Sequence, residues 1–154
     1  MSGNIILIGM PGSGKSTVGV LLAKAAGMRF SDTDLLIQQE TGKKLQEIIN
    51  CGGLEFFLKT EENVIAAADF ENSVVATGGS AVFGERAMRK LKSGGTTVFL
   101  DVPLEEIERR INNITTRGIA MRRDETLESV YNERMPVKSG NAEETVAEIL
   151  KQIS

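Results

Sequence analysis

Residues Gly9-Met10-Pro11-Gly12-Ser13-Gly14-Lys15-Ser16 constrain the fold more than any other stretch, because they satisfy the spacing G-x-x-x-x-G-K-[ST]. That spacing has meaning only between a buried strand and a helix, and the flanks supply both. Ile5-Ile6-Leu7-Ile8 is a continuous apolar run, as expected of a parallel strand covered on both faces. Lys15 to Ala26 carries Val18, Leu21, Leu22 and Ala25 at helical spacing and stops before Gly27. The glycines of such a phosphate-binding loop (P-loop) let backbone N–H groups converge on phosphate oxygens at a helix N-terminus. Gly12, Ser13, Gly14, Lys15, Ser16 and Thr17 are therefore the expected nucleotide-binding residues. Lys15 is expected to reach the β and γ phosphates, and the Ser16 hydroxyl to ligate Mg2+.

Downstream, strands and helices alternate. Met28 to Ser31 reads as a second strand, Leu35 to Glu40 and Lys44 to Asn50 as short helices, and Leu54 to Ala68 as a longer helix closed off from them by Gly52-Gly53. The apolar stripe Leu54, Phe57, Leu58, Val64, Ile65 and Ala68 contains one carboxylate, Glu61. Ser73 to Thr77 and Thr97 to Asp101 read as strands three and four, with a helix from about Glu85 to Leu91 between them. Helices are expected at Leu104 to Ile114, Leu127 to Arg134 and Glu143 to Ile153. This alternation implies an α/β fold of three layers, helix–sheet–helix, with a parallel sheet. The expectation is one domain over 1–154, since a chain of 154 residues builds one core.

Composition narrows the chemistry. Zero histidines exclude His-based triads and zinc sites, and a single cysteine, Cys51, excludes a disulfide framework or a multi-thiolate metal site within the chain. With 18 basic and 21 acidic residues the net charge is -3, which argues against a nucleic-acid or anionic-membrane partner held by bulk charge. No apolar run approaches the ~20 residues of a membrane span, and Met1 to Gly9 carries no basic leader, so a cytoplasmic location is expected.

A P-loop binds nucleotide without choosing a reaction, so the other strand ends carry the next information. Asp32 and Asp34 point the same way if strand geometry persists through Thr33. One then holds the metal's water shell and the other meets an acceptor hydroxyl; the alternative is that Asp32 caps the following helix. Glu61 on an apolar stripe needs a partner or a ligand, unless it sits at the stripe's edge in solvent. Gly78-Gly79-Ser80 offers bare backbone to a ligand, or is a plain turn. Arg117, Arg122 and Arg123 beside Gly118 read either as a basic flap that closes over phosphate or as a solvated charged loop. Arg134 reads equally as a cation favoured at a helix C-terminus.

The P-loop, Asp32-Thr33-Asp34, Thr41-Gly42, the Phe57 helix with Glu61, Gly78-Gly79, the Arg-bearing loop and Arg134-Met135-Pro136 stand in the order and spacing of a known family. From Asn4 to about Lys138 the chain resembles shikimate kinase, a P-loop kinase of small molecules. The resemblance implies a P-loop NTPase fold with a helical acceptor-binding insert at about 32–61 and a mobile lid at about 114–124. It implies ATP as co-substrate, Mg2+ as cofactor and shikimate as the hydroxylated acceptor, in a monomeric enzyme. It assigns Ser16 and Asp32 to the metal, Asp34 to the acceptor hydroxyl, and Glu61, Gly78 and Gly79 to the acceptor pocket. By the same resemblance Lys15 and Arg117 contact the transferring phosphate and Arg134 holds a substrate carboxylate. A kinase of another hydroxylated small molecule, or a non-catalytic nucleotide-binding module, are the other readings.

The chain also departs from the family. Phe57-Leu58 stands where the family has Phe-Arg, Ser80 replaces the third glycine, and Arg117-Gly118 replaces Arg-Pro. Arg134-Met135-Pro136-Val137-Lys138 replaces Arg-x-Pro-x-Tyr, and no fifth strand or adenine loop is expected between Lys138 and Glu143.

Overall fold

Strand β1 (Asn4–Gly9) is buried at every residue, and the remaining elements are arranged around it. The computed structural model describes residues 3–103, 105–106, 109 and 142–153. After β1 come α1 (Lys15–Ala26), β2 (Arg29–Asp32), α2 (Thr33–Thr41), α3 (Leu45–Ala67) and β3 (Ser73–Ala76). A 3-10 turn (Ala81–Phe83), α4 (Glu85–Ser93), β4 (Gly95–Leu100) and α5 (Ala142–Ile153) complete the described chain.

The four strands form one parallel sheet in the order β2-β3-β1-β4. Ile5 and Leu7 face one side and Ile6 and Ile8 the other, the period-2 alternation of a strand read against two covering layers. On the first face Ile5, Leu7 and Val74 pack with Val18, Leu22 and Ala23 of α1 and Val146 and Ile149 of α5. On the second, Ile6, Ile8 and Val75 pack with Ile65 of α3 and Ala87, Met88 and Leu91 of α4. The crossovers explain this division. From β1 the chain runs through α1 to β2 on one side, whereas from β3 it runs through α4 past β1 to β4 on the other. Right-handed crossovers in opposite directions lay their helices on opposite faces. The three-layer α/β architecture expected from the sequence is what forms.

Because every strand is parallel, all their C-terminal ends share one edge. Leu7 pairs with Ala76, and Ala76 pairs with Asp32, so the P-loop after β1, Asp32 closing β2 and Gly78-Gly79 after β3 emerge side by side. The crossovers lead away in opposite directions from β1 and β3, the position where such sheets open a ligand crevice.

Three local expectations change. In α1 the buried positions are Val18, Gly19, Leu22 and Ala23, whereas Leu21 is 37% exposed and Ala25 is exposed. The helix turns Ala23 inward because the stripe facing β1 and α5 runs through i, i+4 and i+5 from Val18. Helix α3 is continuous in hydrogen bonding but breaks at Gly53, whose φ of 84° and ψ of 175° no helical residue adopts. The two helices expected around Gly52-Gly53 are the two arms of that kink. Helix α2 begins at Thr33, earlier than expected, for a reason that belongs to the site. The expected helix from Leu104 to Ile114 is described only at 105, 106 and 109, which are helical. The helix from Leu127 to Arg134, the lid at about 114–124, Arg117, Arg122, Arg123, Arg134, Lys138 and the stretch expected to lack a fifth strand lie outside the described residues.

A smaller apolar cluster forms the insert. Ile37 of α2 and Ile48 and Phe57 of α3 are buried together, with Leu45, Leu54 and Leu58 packed around them. Burying side chains of this size contributes about 1.5–3 kcal/mol each, enough to hold α2 and α3 as one unit above the sheet edge.

Candidate active site

The loop between β1 and α1 has the geometry its glycines predict. Gly12 and Gly14 adopt φ of 80° and 91°, which side chains with a Cβ disfavour, and Gly14 is the N-cap of α1. No side chain caps this helix, and its first turn holds no acidic residue. Its leading N–H groups therefore face no competing carboxylate from the helix itself, the arrangement that suits an anion. Lys15 is 7% exposed, and its ammonium donates to the carbonyl oxygens of Gly9 at 3.0 Å and Met10 at 2.7 Å and to Ser13 Oγ at 3.3 Å. The charge is thus held within the loop that would receive the phosphates.

Asp32 does two things at once. Its Oδ1 accepts from the backbone N–H of Asp34 at 2.9 Å and Leu35 at 3.3 Å, capping α2. Its Oδ2 accepts from Ser16 Oγ at 2.8 Å. The capping reading of Asp32 holds, and its second oxygen is at the same time turned to the P-loop's Ser16. The cap also starts the helix at Thr33, so strand geometry does not persist to Asp34 and the two carboxylates do not point the same way. A hydroxyl and a carboxylate oxygen side by side form a hard, all-oxygen donor set, which fits Mg2+. Groups of three or more His, Cys, Asp or Glu side chains disposed to hold a metal by themselves are absent among the described residues.

Asp34 turns instead toward Gly78. A Cβ on Gly78 would lie 2.4 Å from Asp34 Oδ1 and 3.0 Å from Glu61 Oε2, so both carboxylates press against the same bare backbone. Glu61 is 3% exposed, and its Oε1 accepts from Ser80 Oγ at 2.7 Å. It is neither at the edge of its stripe nor in solvent. The Gly78 N–H donates to Thr33 Oγ1 at 3.0 Å, and Thr33 is fully buried. Next door, a Cβ on Gly79 would lie 2.5 Å from the Pro11 ring, so Gly79 lets the P-loop seat directly on the end of β3.

The structure thus brings Lys15, Ser16, Asp32, Asp34, Glu61, Gly78 and Gly79 to one sheet edge. Thr33, Pro11 and the role of Ser80 escaped the sequence reading. Thr33 had one signal, a β-branched hydroxyl between two candidate aspartates; Pro11 fills a variable position of the motif and had none. Leu58 does not enter this arrangement but packs in the insert's apolar cluster.

A family model described as shikimate kinase matches residues 11–153. The chain belongs to the shikimate kinase family. A shikimate kinase of Persephonella marina (strain DSM 14350 / EX-H1) is 37% identical over 135 residues, covering 87% of this chain and 82% of that relative. One of Clostridium botulinum (strain Eklund 17B / Type B) is 32% identical over 163 aligned positions, covering 99% and 98%. Among solved structures, shikimate kinase from Acinetobacter baumannii in complex with shikimate is similar with a TM-score of 0.82 and 27% identity, over 99% of this chain and 93% of that one. Shikimate kinase from Aquifex aeolicus vf5 gives 0.78 and 33%, over 97% and 95%. Membership makes the chain a P-loop kinase, an ATP-dependent phosphotransferase with an alcohol group as acceptor.

Proposed function

We propose that this chain transfers the γ-phosphoryl group of ATP to a hydroxyl of shikimate. The observation that carries the reading is the convergence of Asp34 Oδ1 and Glu61 Oε2 on Gly78, one residue from the glycine on which the P-loop rests. Acceptor carboxylates and phosphate loop then share one crevice. That proximity is the larger part of what phosphoryl transfer asks of a protein, since positioning and charge stabilisation dominate it.

In this reading the amides from Gly12 to Thr17 grip the β and γ phosphates, and Lys15 leaves its loop carbonyls for phosphate oxygens. Asp34 accepts the proton of the acceptor hydroxyl as that oxygen bonds to the γ-phosphorus and the bond to the β–γ bridging oxygen breaks. Glu61, Gly78 and Gly79 shape the wall that holds the acceptor's ring. Ser16 and Asp32 would hold Mg2+, which when bound neutralises charge on the phosphates. The resemblance assigns Arg117 to the transferring phosphate and Arg134 to the acceptor carboxylate.

The same proposal covers a single domain over 1–154 with an acceptor insert at about 32–61 and a lid at about 114–124, and a cytoplasmic monomer without nucleic-acid or membrane partners. Among the described residues, no helix is long and apolar enough to cross a membrane. Leu58, apolar where the family carries an arginine, favours a second reading in which another hydroxylated small molecule is the acceptor. Mass spectrometry of a reaction with Mg-ATP and shikimate separates the two: phosphorylated shikimate supports the first, and ATP consumption only with a different acceptor supports the second. Chelation of Mg2+ is expected to stop either reaction, and its return to restore it.

A further inference from the structure

Ser80 stands at the N-cap of the 3-10 turn Ala81–Phe83, a position where a serine hydroxyl ordinarily accepts from the turn's own amides. It makes no such cap. The hydroxyl is used elsewhere, donating to Glu61 Oε1 at 2.7 Å across a fully enclosed contact, with Ser80 4% exposed and Glu61 3%. The Ser80 backbone is fixed independently, because its carbonyl accepts from Phe83 N–H at 3.1 Å and the Gly78 carbonyl accepts from Ala81 N–H at 3.2 Å. A rigid turn therefore holds the donor, and the donor selects which Glu61 oxygen is turned away. The other oxygen, Oε2, is itself buried and lies against Gly78, as does Asp34 Oδ1.

We infer that Ser80 is a positioning residue for acceptor specificity: it locks the buried Glu61 carboxylate against Gly78, and so fixes the Gly78 backbone and the Asp34 carboxylate packed on it, which form the acceptor side of the edge. This rests on the acceptor reading given above. The lock is supplied from the loop after β3 by a neutral hydroxyl. Position 58, one turn before Glu61 on its own helix, is occupied by a leucine packed into the insert's cluster and can offer no donor. Ser80 acts on binding rather than on the phosphoryl group, so its removal separates KM from kcat.

The test is Ser80→Gly, a change that frees space and keeps the turn's backbone. Measured with shikimate, KM for the acceptor is expected to rise about tenfold or more, the worth of a hydrogen bond to a charged group, while kcat and the KM for ATP stay within about twofold. In a Glu61→Ala background the same substitution is expected to leave the acceptor KM where Glu61→Ala alone puts it, since Ser80 works through Glu61. An unchanged acceptor KM, or an equal rise in both backgrounds, overturns the inference. Failure of the parent protein to phosphorylate shikimate overturns the acceptor's identity instead. The Ser80 comparison is then read on whichever hydroxylated acid is used, and by a double-mutant cycle of urea unfolding on the unliganded protein. Loss of the Ser80–Glu61 coupling in that cycle also overturns the inference.

Discussion

Helices α1 and α2 begin at the same edge of the sheet, α1 after β1 and the P-loop and α2 directly after β2, yet their N-termini are finished in opposite ways. That of α1 has a glycine N-cap, no side-chain acceptor and no acidic residue in its first turn. That of α2 is closed by the Asp32 carboxylate on two amides and carries Asp34 in its first turn. The physics is common to both, since every helix begins with orphan N–H groups and a partial positive charge. Where the chain supplies its own carboxylate, the end becomes structure and presents acid to its surroundings. Where it supplies only glycine, the end is left for a ligand's phosphate. In the proposed reading, one edge thus acquires a phosphate-binding half and an acceptor-activating half.

The open end is broken most completely by Lys15→Ala. Removing the cation proposed to meet the transferring phosphate is expected to lower kcat on the order of 10³–10⁵-fold, the range for cations serving this role. Undiminished ADP release would contradict the assignment. At the closed end, Asp34→Asn is expected to lower kcat by roughly 10²–10⁴-fold, as for loss of a positioned base, while titration calorimetry finds ATP affinity nearly unchanged. An equal loss of nucleotide affinity would exchange the roles of Asp32 and Asp34. Asp32→Ala is expected to show both of its contacts. Loss of the cap costs about 1 kcal/mol, a fall of roughly 2–4 °C in Tm for a domain of this size, and Mg-ATP is expected to stabilise the variant less than the parent. Equal Mg-ATP stabilisation of the two would leave only the cap. The smallest change is Leu58→Arg, which puts a guanidinium within i,i+3 reach of Glu61 and is expected to lower the KM for shikimate about tenfold, the worth of one charge-assisted contact. A KM that does not fall would mean that the acceptor carboxylate is already fully held elsewhere.

Much of this arrangement was legible from residue order. The P-loop could be read because its constraints are local: a strand, positive-φ glycines and a helix N-terminus occupy consecutive residues. The layers followed from the unbroken Ile5-Ile6-Leu7-Ile8 run and the alternation of elements around it. What could not be read was whatever depends on approach between distant segments. Nothing near Gly78 in sequence says that Asp34 and Glu61 meet there, since the two carboxylates lie 44 and 17 residues before it, on two different helices. The dual bonding of Asp32 was hidden for a different reason, because its two oxygens serve two partners and the sequence posed the roles as alternatives. The inward turn of Ala23 and the exposure of Leu21 were set by α5, which arrives from the other end of the chain.

In the proposed function the two halves of this edge form one phosphoryl-transfer site for shikimate. That reading is tested most directly by Mg-ATP-dependent ADP release over a panel of hydroxylated acids, ranked by kcat/KM. Shikimate is predicted to give the highest value and to lose its turnover in Asp34→Asn while that variant still binds ATP. A different acid at the head of the ranking, or release no faster with shikimate than without any acceptor, would contradict it.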